Sequence, residues 1–188
     1  MFAIPLTPDA ELRPLEPWQF MEFFSHIERA REQVDRWIRF AAGSKDLASA
    51  HATLQRYADK QAVDSGRLFG IWEHGTLVGG CMFPNFDAES GVCEIGVWTE
   101  PAGQGRGLIS RAVRHLLDYA LIERGMERAE WHCSPDNERS WAVAKRMGMT
   151  AEGILRSAYV VNGERLDVQI WAILRDEWIA LRDAEDDQ

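Results

Sequence analysis

Three glycines at alternate positions, Gly103, Gly105 and Gly107, stand directly before an amphipathic stretch that begins at Leu108. A helix start presents unpaired N–H groups and the positive end of its dipole, and a glycine-rich approach lets a phosphate come close to that backbone. The loop suits either a bound pyrophosphate or a tight turn. A P-loop requires Lys followed by Ser or Thr after its glycines, and Leu108 and Ile109 stand there instead. A dinucleotide fingerprint requires Gly-x-Gly-x-x-Gly in the first strand–turn–helix unit, whereas here the third glycine comes one residue early and the loop lies mid-chain. Further on, Asn137 and Ser140 are three apart at the start of another helical stretch, on one side of it. Both residue types cap helices, and both can hydrogen-bond a ligand.

The elements that must position these residues follow from periodicity. "LRPLEP" is expected as a short opening strand, with Pro17 in the first turn of a helix carrying Trp18 to Phe24. Ala30, Val34, Trp37, Ile38 and Ala41 make a helix face that Gly43 ends. Ser44 or Asp46 caps a third helix with Leu47, Ala50, Leu54, Tyr57 and Ala58 inward. From Gly66 the period becomes two: "RLFGIWEHGTLVGGCMF" is a hairpin about His74-Gly75, and "GVCEIGVW" is a further strand leading into the glycine loop. The helix after the loop buries Leu108, Ala112, Leu116 and Ala120 and closes at Gly125. "AEWHC" is the next strand, and Ser134 or Asp136 caps a helix ending at Gly148. "TAEGILRSAYVV" and "ERLDVQIWAILR" form a terminal hairpin about Asn162-Gly163. The order implies one α/β or α+β domain over residues 1–182, followed by a solvated acidic tail, 183–188.

Composition narrows the function classes. The chain has 188 residues and a net charge of −9, which argues against a nucleic-acid partner. No run of about 18 apolar residues spans a membrane, and the N-terminal residues lack a signal-peptide pattern, so a cytoplasmic location is expected. Cys81, Cys93 and Cys133 are expected as reduced, buried thiols. The tryptophans at 18, 37, 72, 131, 141, 171 and 178 are expected in core and helix packing, with Trp37 also a candidate for a pocket wall.

The loop "QGRGLI", Gln104 to Ile109, resembles the Gln/Arg-x-x-Gly-x-Gly/Ala phosphate loop of the GNAT superfamily of acyl-CoA-dependent N-acyltransferases, with Ile109 in place of the last small residue. "EIGVWTEPAGQGRGL", "NERSWAVAKRMGM" and "EGILRSAYVVNGERLDVQIWAIL" are similar, in order, to blocks of its RimJ/RimL branch of ribosomal-protein N-terminal acetyltransferases, and the similarity covers most of Leu12 to Leu174. The resemblance implies a mixed, mostly antiparallel twisted sheet flanked by helices and splayed at the central coenzyme-binding strand. It implies acetyl-CoA as co-substrate, no metal, and an amine acceptor, either a protein N-terminus or a small molecule.

Acyl transfer from a thioester to an amine needs a neutral amine, a stabilised oxyanion and a proton for the leaving thiolate. By the resemblance, backbone amides of Gln104, Gly105, Arg106, Gly107, Leu108 and Ile109 hold the pyrophosphate, while Ile95, Val97 and Trp98, with Gly96 between them, hold pantetheine and the thioester carbonyl. Asn137 orients the coenzyme arm and Ser140 protonates the thiolate. Glu94 is the candidate base, directly or through water, with His132, Glu152, Glu164 and Asp167 behind it; a water-borne proton with no dedicated base is the other possibility. Trp37 and Phe40 are candidates for the acceptor pocket. An acyl-cysteine route at Cys93 or Cys133 is disfavoured, because the adjacent Glu94 and His132 point to the opposite strand face. A larger donor such as succinyl-CoA, or a non-catalytic acyl-CoA sensor, would keep the same fold. An exposed hairpin edge or aromatic helix could support a homodimer.

Overall fold

Turn chemistry and strand periodicity build one sheet from the whole chain. The computed structural model describes residues 3–186. Its strands are β1 (Ile4–Thr7), β2 (Ala10–Pro14), β3 (Arg67–Glu73), β4 (Thr76–Asp87), β5 (Val92–Thr99), β6 (Arg128–Cys133), β7 (Thr150–Val161) and β8 (Glu164–Leu174). They lie in the order β1-β2-β3-β4-β5-β6-β8-β7, antiparallel throughout except where β5 meets β6. Both expected hairpin turns form. His74 and Gly75 have φ of 48° and 79°, and Asn162 and Gly163 have 51° and 83°, the paired positive values that a two-residue hairpin turn requires.

Helices cover both faces. On one face, α1 (Phe20–Val34) and α2 (Leu47–Ala62) enclose a cluster containing Phe23, Ile27, Leu54, Tyr57, Met82 and Trp98. On the other, α3 (Leu108–Leu117), α4 (Glu138–Arg146) and α5 (Arg175–Asp186) enclose Phe83, Cys93, Ile95, Leu116, Trp131, Met147 and Trp178. A parallel pair needs a crossover, and α3 with its π-turn extension, Asp118–Glu123, supplies it between β5 and β6.

The sheet divides at that parallel pair. The β5–β6 ladder runs only from Val92 opposite Arg128 to Glu94 opposite Glu130. Beyond it β5 stays on β4, Gly96 to Thr99 opposite Met82 to Gly79, while β6 stays on β8, Trp131 to Cys133 opposite Trp171 to Gln169. On β4 the register gains a residue between Met82 and Asn85, opposite Ile95. This bulge contains Pro84, which has no N–H to donate to the ladder, and it bends the strand where the sheet opens. The extra residue thus lies on β4, and β5 itself runs through Gly96 without one. A Cβ on Gly96 would stand 3.2 Å from Met82 Cε and 3.3 Å from Pro84 Cγ, so Gly96 accommodates packing against β4.

Several other expectations are corrected. The opening strand is a hairpin, β1 with β2. The helix ends at Val34 instead of running to Ala41, because the chain folds back on Arg31: its guanidinium reaches the carbonyls of Ala41 (2.8 Å) and Ser44 (3.0 Å), and Asp35 Oδ1 accepts from Ala42 N–H at 2.7 Å. Local side-chain bonds of this kind outcompete helix continuation. Asp46 caps α2, but Asn137, rather than Ser134 or Asp136, caps α4. Trp18 is 73 % exposed, not core. Residues 183–186 of the expected tail are the last turn of α5, and 187–188 lie outside the described residues. All three cysteines are buried free thiols.

The loop glycines serve different ends. A Cβ on Gly103 would lie 2.5 Å from Thr99 Oγ1 and 2.6 Å from the Val78 carbonyl oxygen, so this glycine seats the loop against β4. Gly103→Ala should destabilise the fold by about 1–3 kcal/mol, the usual range for overpacking. Urea unfolding measures this, and an unchanged midpoint would mean that the loop can lift off β4 freely.

Candidate active site

Where the two halves of the sheet part, a cavity of about 1340 Å³ opens. Pockets for small ligands usually span about 300–1,000 Å³, so this one suits a large, extended ligand. It runs from the last turns of α1, past Val97, Trp98 and Thr99 on β5, along the glycine loop and the start of α3, to the facing side of α4.

The loop is shaped to receive an anion. Gly105 (φ 76°) and Gly107 (φ 71°) are left-handed, and a Cβ on either would meet open space, so conformation and not packing selects glycine at both. Gly107 is the N-cap of α3 and provides no side-chain cap, which leaves the first amides of the helix directed at the cavity. Gln104 Nε2 is buried with no hydrogen-bond partner, a donor held beside the loop. Ile109, the departure from the family's loop pattern, packs its side chain on the core and still lines the cavity. These features fit a pyrophosphate.

The sequence-predicted residues separate into two groups. Val97, Trp98, Gln104, Gly105, Gly107, Leu108, Ile109, Asn137, Ser140 and Trp37 line the cavity. Ile95 is 2 % exposed, its side chain in the core, although it is the first β5 residue past the β6 ladder. Arg106 turns outward to Glu73 and the Ala102 carbonyl. Phe40 packs against Trp98 (ring centroids 4.7 Å apart) and Phe23 (5.8 Å), away from the cavity wall. Glu94 sits on the last rung of the β5–β6 ladder, on the same strand face as Trp98, and is not among the lining residues. Burial pushes its carboxyl pKa up, with the Glu130 charge adding to the rise and His132 opposing it. His132 Nδ1 is 3.8 Å from Glu94 Oε1, and its Nε2 is 2.9 Å from Glu130 Oε2. Asp167 organises the terminal hairpin by accepting from Ser157 N–H at 2.7 Å. Cys93 faces the core, its thiol pKa pushed up by burial to about 12, which removes the nucleophile an acyl-cysteine route needs.

Other residues of the site were missed. Arg139 and Arg146 on α4 reach across the cavity, Arg139 to Gln104 Oε1 (2.6 Å) and Arg146 to Ser110 Oγ (2.8 Å). Their spacing, with Ala142 and Val143 between, is one helix face and was visible in the sequence. No sequence signal marks the buried group behind β5. There Glu100 is 3 % and His26 0 % exposed. Trp98 Nε1 donates to His26 Nε2 at 2.9 Å, His26 Nδ1 is 3.3 Å from Glu100 Oε2, and Arg29 Nε donates to the same oxygen at 2.6 Å. Gln33 adds a bond to the Thr99 carbonyl at 3.0 Å. Together they dock α1 on the end of β5 just before the loop.

The sequence matches the family model of the acetyltransferase (GNAT) domain over residues 10–150, well over half of the chain. The chain belongs to the GNAT acetyltransferase family. Among relatives of this GNAT protein, YdaF of Bacillus subtilis (strain 168), provisionally named a ribosomal N-acetyltransferase, is 28% identical over 183 residues, covering 95% of this chain and 98% of its own. The ribosomal-protein-serine acetyltransferase of Escherichia coli (strain K12) is 28% identical over 145 residues, 77% of this chain and 79% of its own. The solved structure of RimL, a ribosomal L7/L12 α-N-protein acetyltransferase in complex with coenzyme A, superposes with a TM-score of 0.86 over 92% of this chain and 97% of its own at 20% identity. The GNAT fold expected from the sequence, with its splayed, mostly antiparallel sheet, is the fold observed.

The His26 group makes stability depend on pH. Burial, helped by Arg29 and opposed by Glu100, lowers the His26 pKa from 6.5 to about 4. The unfolded chain therefore binds a proton that the native state excludes, and stability present above pH 6.5 is lost as the pH falls toward 4, by about 3 kcal/mol. Urea unfolding at pH 7 and pH 4 should give that loss in the wild type beyond what His26→Gln loses. Equal losses in both proteins would refute it.

Proposed function

We propose that this GNAT protein is an N-acetyltransferase that binds acetyl-CoA along the cavity and passes the acetyl group by direct attack, in a ternary complex, to an amine brought in at the α1 end. The observation that carries the reading is one continuous surface. The free edge of β5 runs into a loop of left-handed glycines and an uncapped helix start, and Asn137 and Ser140 face it from α4.

Acetyl-CoA supplies the activated acetyl group as a thioester. Amides from Gln104 to Ile109 would hold its pyrophosphate, with Gln104 Nε2 as a further donor. Backbone groups of Ile95 and Val97 turned to the free edge would bind the pantetheine arm and polarise the acetyl carbonyl, while the backbone of Trp98, next along, is spent on β4. Asn137 spends Oδ1 on the Ser140 amide at 3.3 Å, so its Nδ2 is the group left to orient the arm. Ser140 holds the proton for the leaving sulfur at Oγ. Glu94, with its raised pKa, would collect the amine proton through water, since it stands off the cavity wall. Trp37 would border the acceptor.

The acceptor we favour is a protein N-terminus. Two relatives carry ribosomal-protein acetylation in their names, and the cavity exceeds the usual small-ligand volume and reaches α1 beyond the loop, which suits a chain end beside the coenzyme. Calorimetry with acetyl-CoA should give saturable binding, and the absence of any heat at millimolar ligand would refute the reading. Ser140→Ala should retain coenzyme affinity while turnover on N-terminal peptides falls about 10²–10⁴-fold, the usual yield of a positioned acid. Unchanged turnover would remove Ser140 from that role.

A further inference from the structure

Ser140 has a partner inside the core. Its Oγ is 3.0 Å from Trp131 Nε1, an indole N–H that can donate but never accept. Trp131 lies on β6 at 2 % exposure, packed in the cluster beneath α4, so its N–H has no water to turn to and its ring has no room to swing. The serine backbone is fixed as well, its N–H bonded to the Asn137 carbonyl at 2.9 Å and to the Asn137 side chain. A serine hydroxyl has one O–H to donate and two lone pairs that accept. With one lone pair held by Trp131, the O–H is turned away from the indole and donates elsewhere. Inside the protein it has the Cys133 sulfur, two residues along β6 on the same strand face. On the open side it has the cavity.

We propose that Trp131 is a positioning residue for the Ser140 proton: its buried indole N–H holds one lone pair of the hydroxyl and turns the O–H away from the core, so that the O–H is presented to the sulfur leaving in the cavity. This rests on Ser140 being the acid. In the transfer, Ser140 gives its proton to the coenzyme sulfur, so an O–H bond breaks and an S–H bond forms as the acyl carbon–sulfur bond opens. The electron pair left on Oγ is held by the Trp131 N–H, since a donor to the charged form favours it. The proton released by the acylated amine returns through water to restore the hydroxyl.

A double-mutant cycle with a ligand-free readout tests this. Trp131→Phe should lower kcat about ten-fold, what one hydrogen bond carries, with the KM for acetyl-CoA unchanged. Added to Ser140→Ala, it should change kcat less than about two-fold, because the group it acts through is gone. An equal loss in both backgrounds, or no loss in the single variant, overturns the proposal while leaving Ser140 as the acid; full turnover in Ser140→Ala alone overturns both. Independently, the assigned Trp131 indole proton should shift upfield and exchange faster with solvent in ligand-free Ser140→Ala than in the wild type. If Trp131→Phe does not fold, an indole signal identical in those two proteins overturns the proposal by itself.

Discussion

The site depends on a ladder that stops. Three residue pairs join β5 to β6, and after Glu94 opposite Glu130 the strands separate, each held by its other neighbour. Buried backbone donors and acceptors must find partners, so a strand edge freed in the middle of a sheet is stable only where something polar can reach it. The bulge at Pro84 turns β4, and with it β5, away from β6, while the Trp131–Trp171 register keeps β6 with the terminal hairpin. The space between is a product of strand geometry; the parallel crossover places α3 on that face, and α4, which follows β6, lines it from the other side.

Two kinds of contact hold this opening in shape. On the α1 side they are buried and directional: one carboxylate, Glu100, is shared by Arg29 and His26, and His26 in turn receives the Trp98 indole. A buried acid is tolerable because Arg29 is bonded to it, and the neutral imidazole accepts the indole N–H on the one nitrogen that carries no proton. On the α4 side the contacts are long arginine arms ending on Gln104 and Ser110. The first set fixes the end of β5. The second can exchange partners when a ligand enters, since each arm can trade a neutral oxygen for a charged one.

The sequence made legible what is local. Asn162-Gly163 and His74-Gly75 announce their turns through positive φ, Asp46 announces a cap, and the glycine loop announces a helix start open to anions. Arg31 ended α1 early through contacts with residues ten and more positions away, beyond what a helical period encodes. Ile95 and Phe40 could not be told from cavity residues because strand and turn positions differ only in which way the side chain faces, and Glu94 looks as though it adjoins the cavity until the sheet places it on the ladder instead. Glu100 and His26 look like surface residues, and only the docking of α1 buries them. The link from Trp131 to Ser140 joins a strand interior to a helix start, a pairing that neither periodicity contains.

The arginines of the cavity carry one more consequence. Six of them line it against three acids, in a chain whose net charge is −9. An anion is thus repelled by the protein as a whole and attracted only at close range, where Arg139 and Arg146, bonded to uncharged partners, keep their full charge. Screening acts on distant charges first, with a Debye length of about 8 Å at physiological ionic strength. Modest salt therefore quiets the repulsion of the molecule before it touches the attraction of the cleft, and the rate at which an anion is captured should pass through a maximum with ionic strength instead of falling from the start.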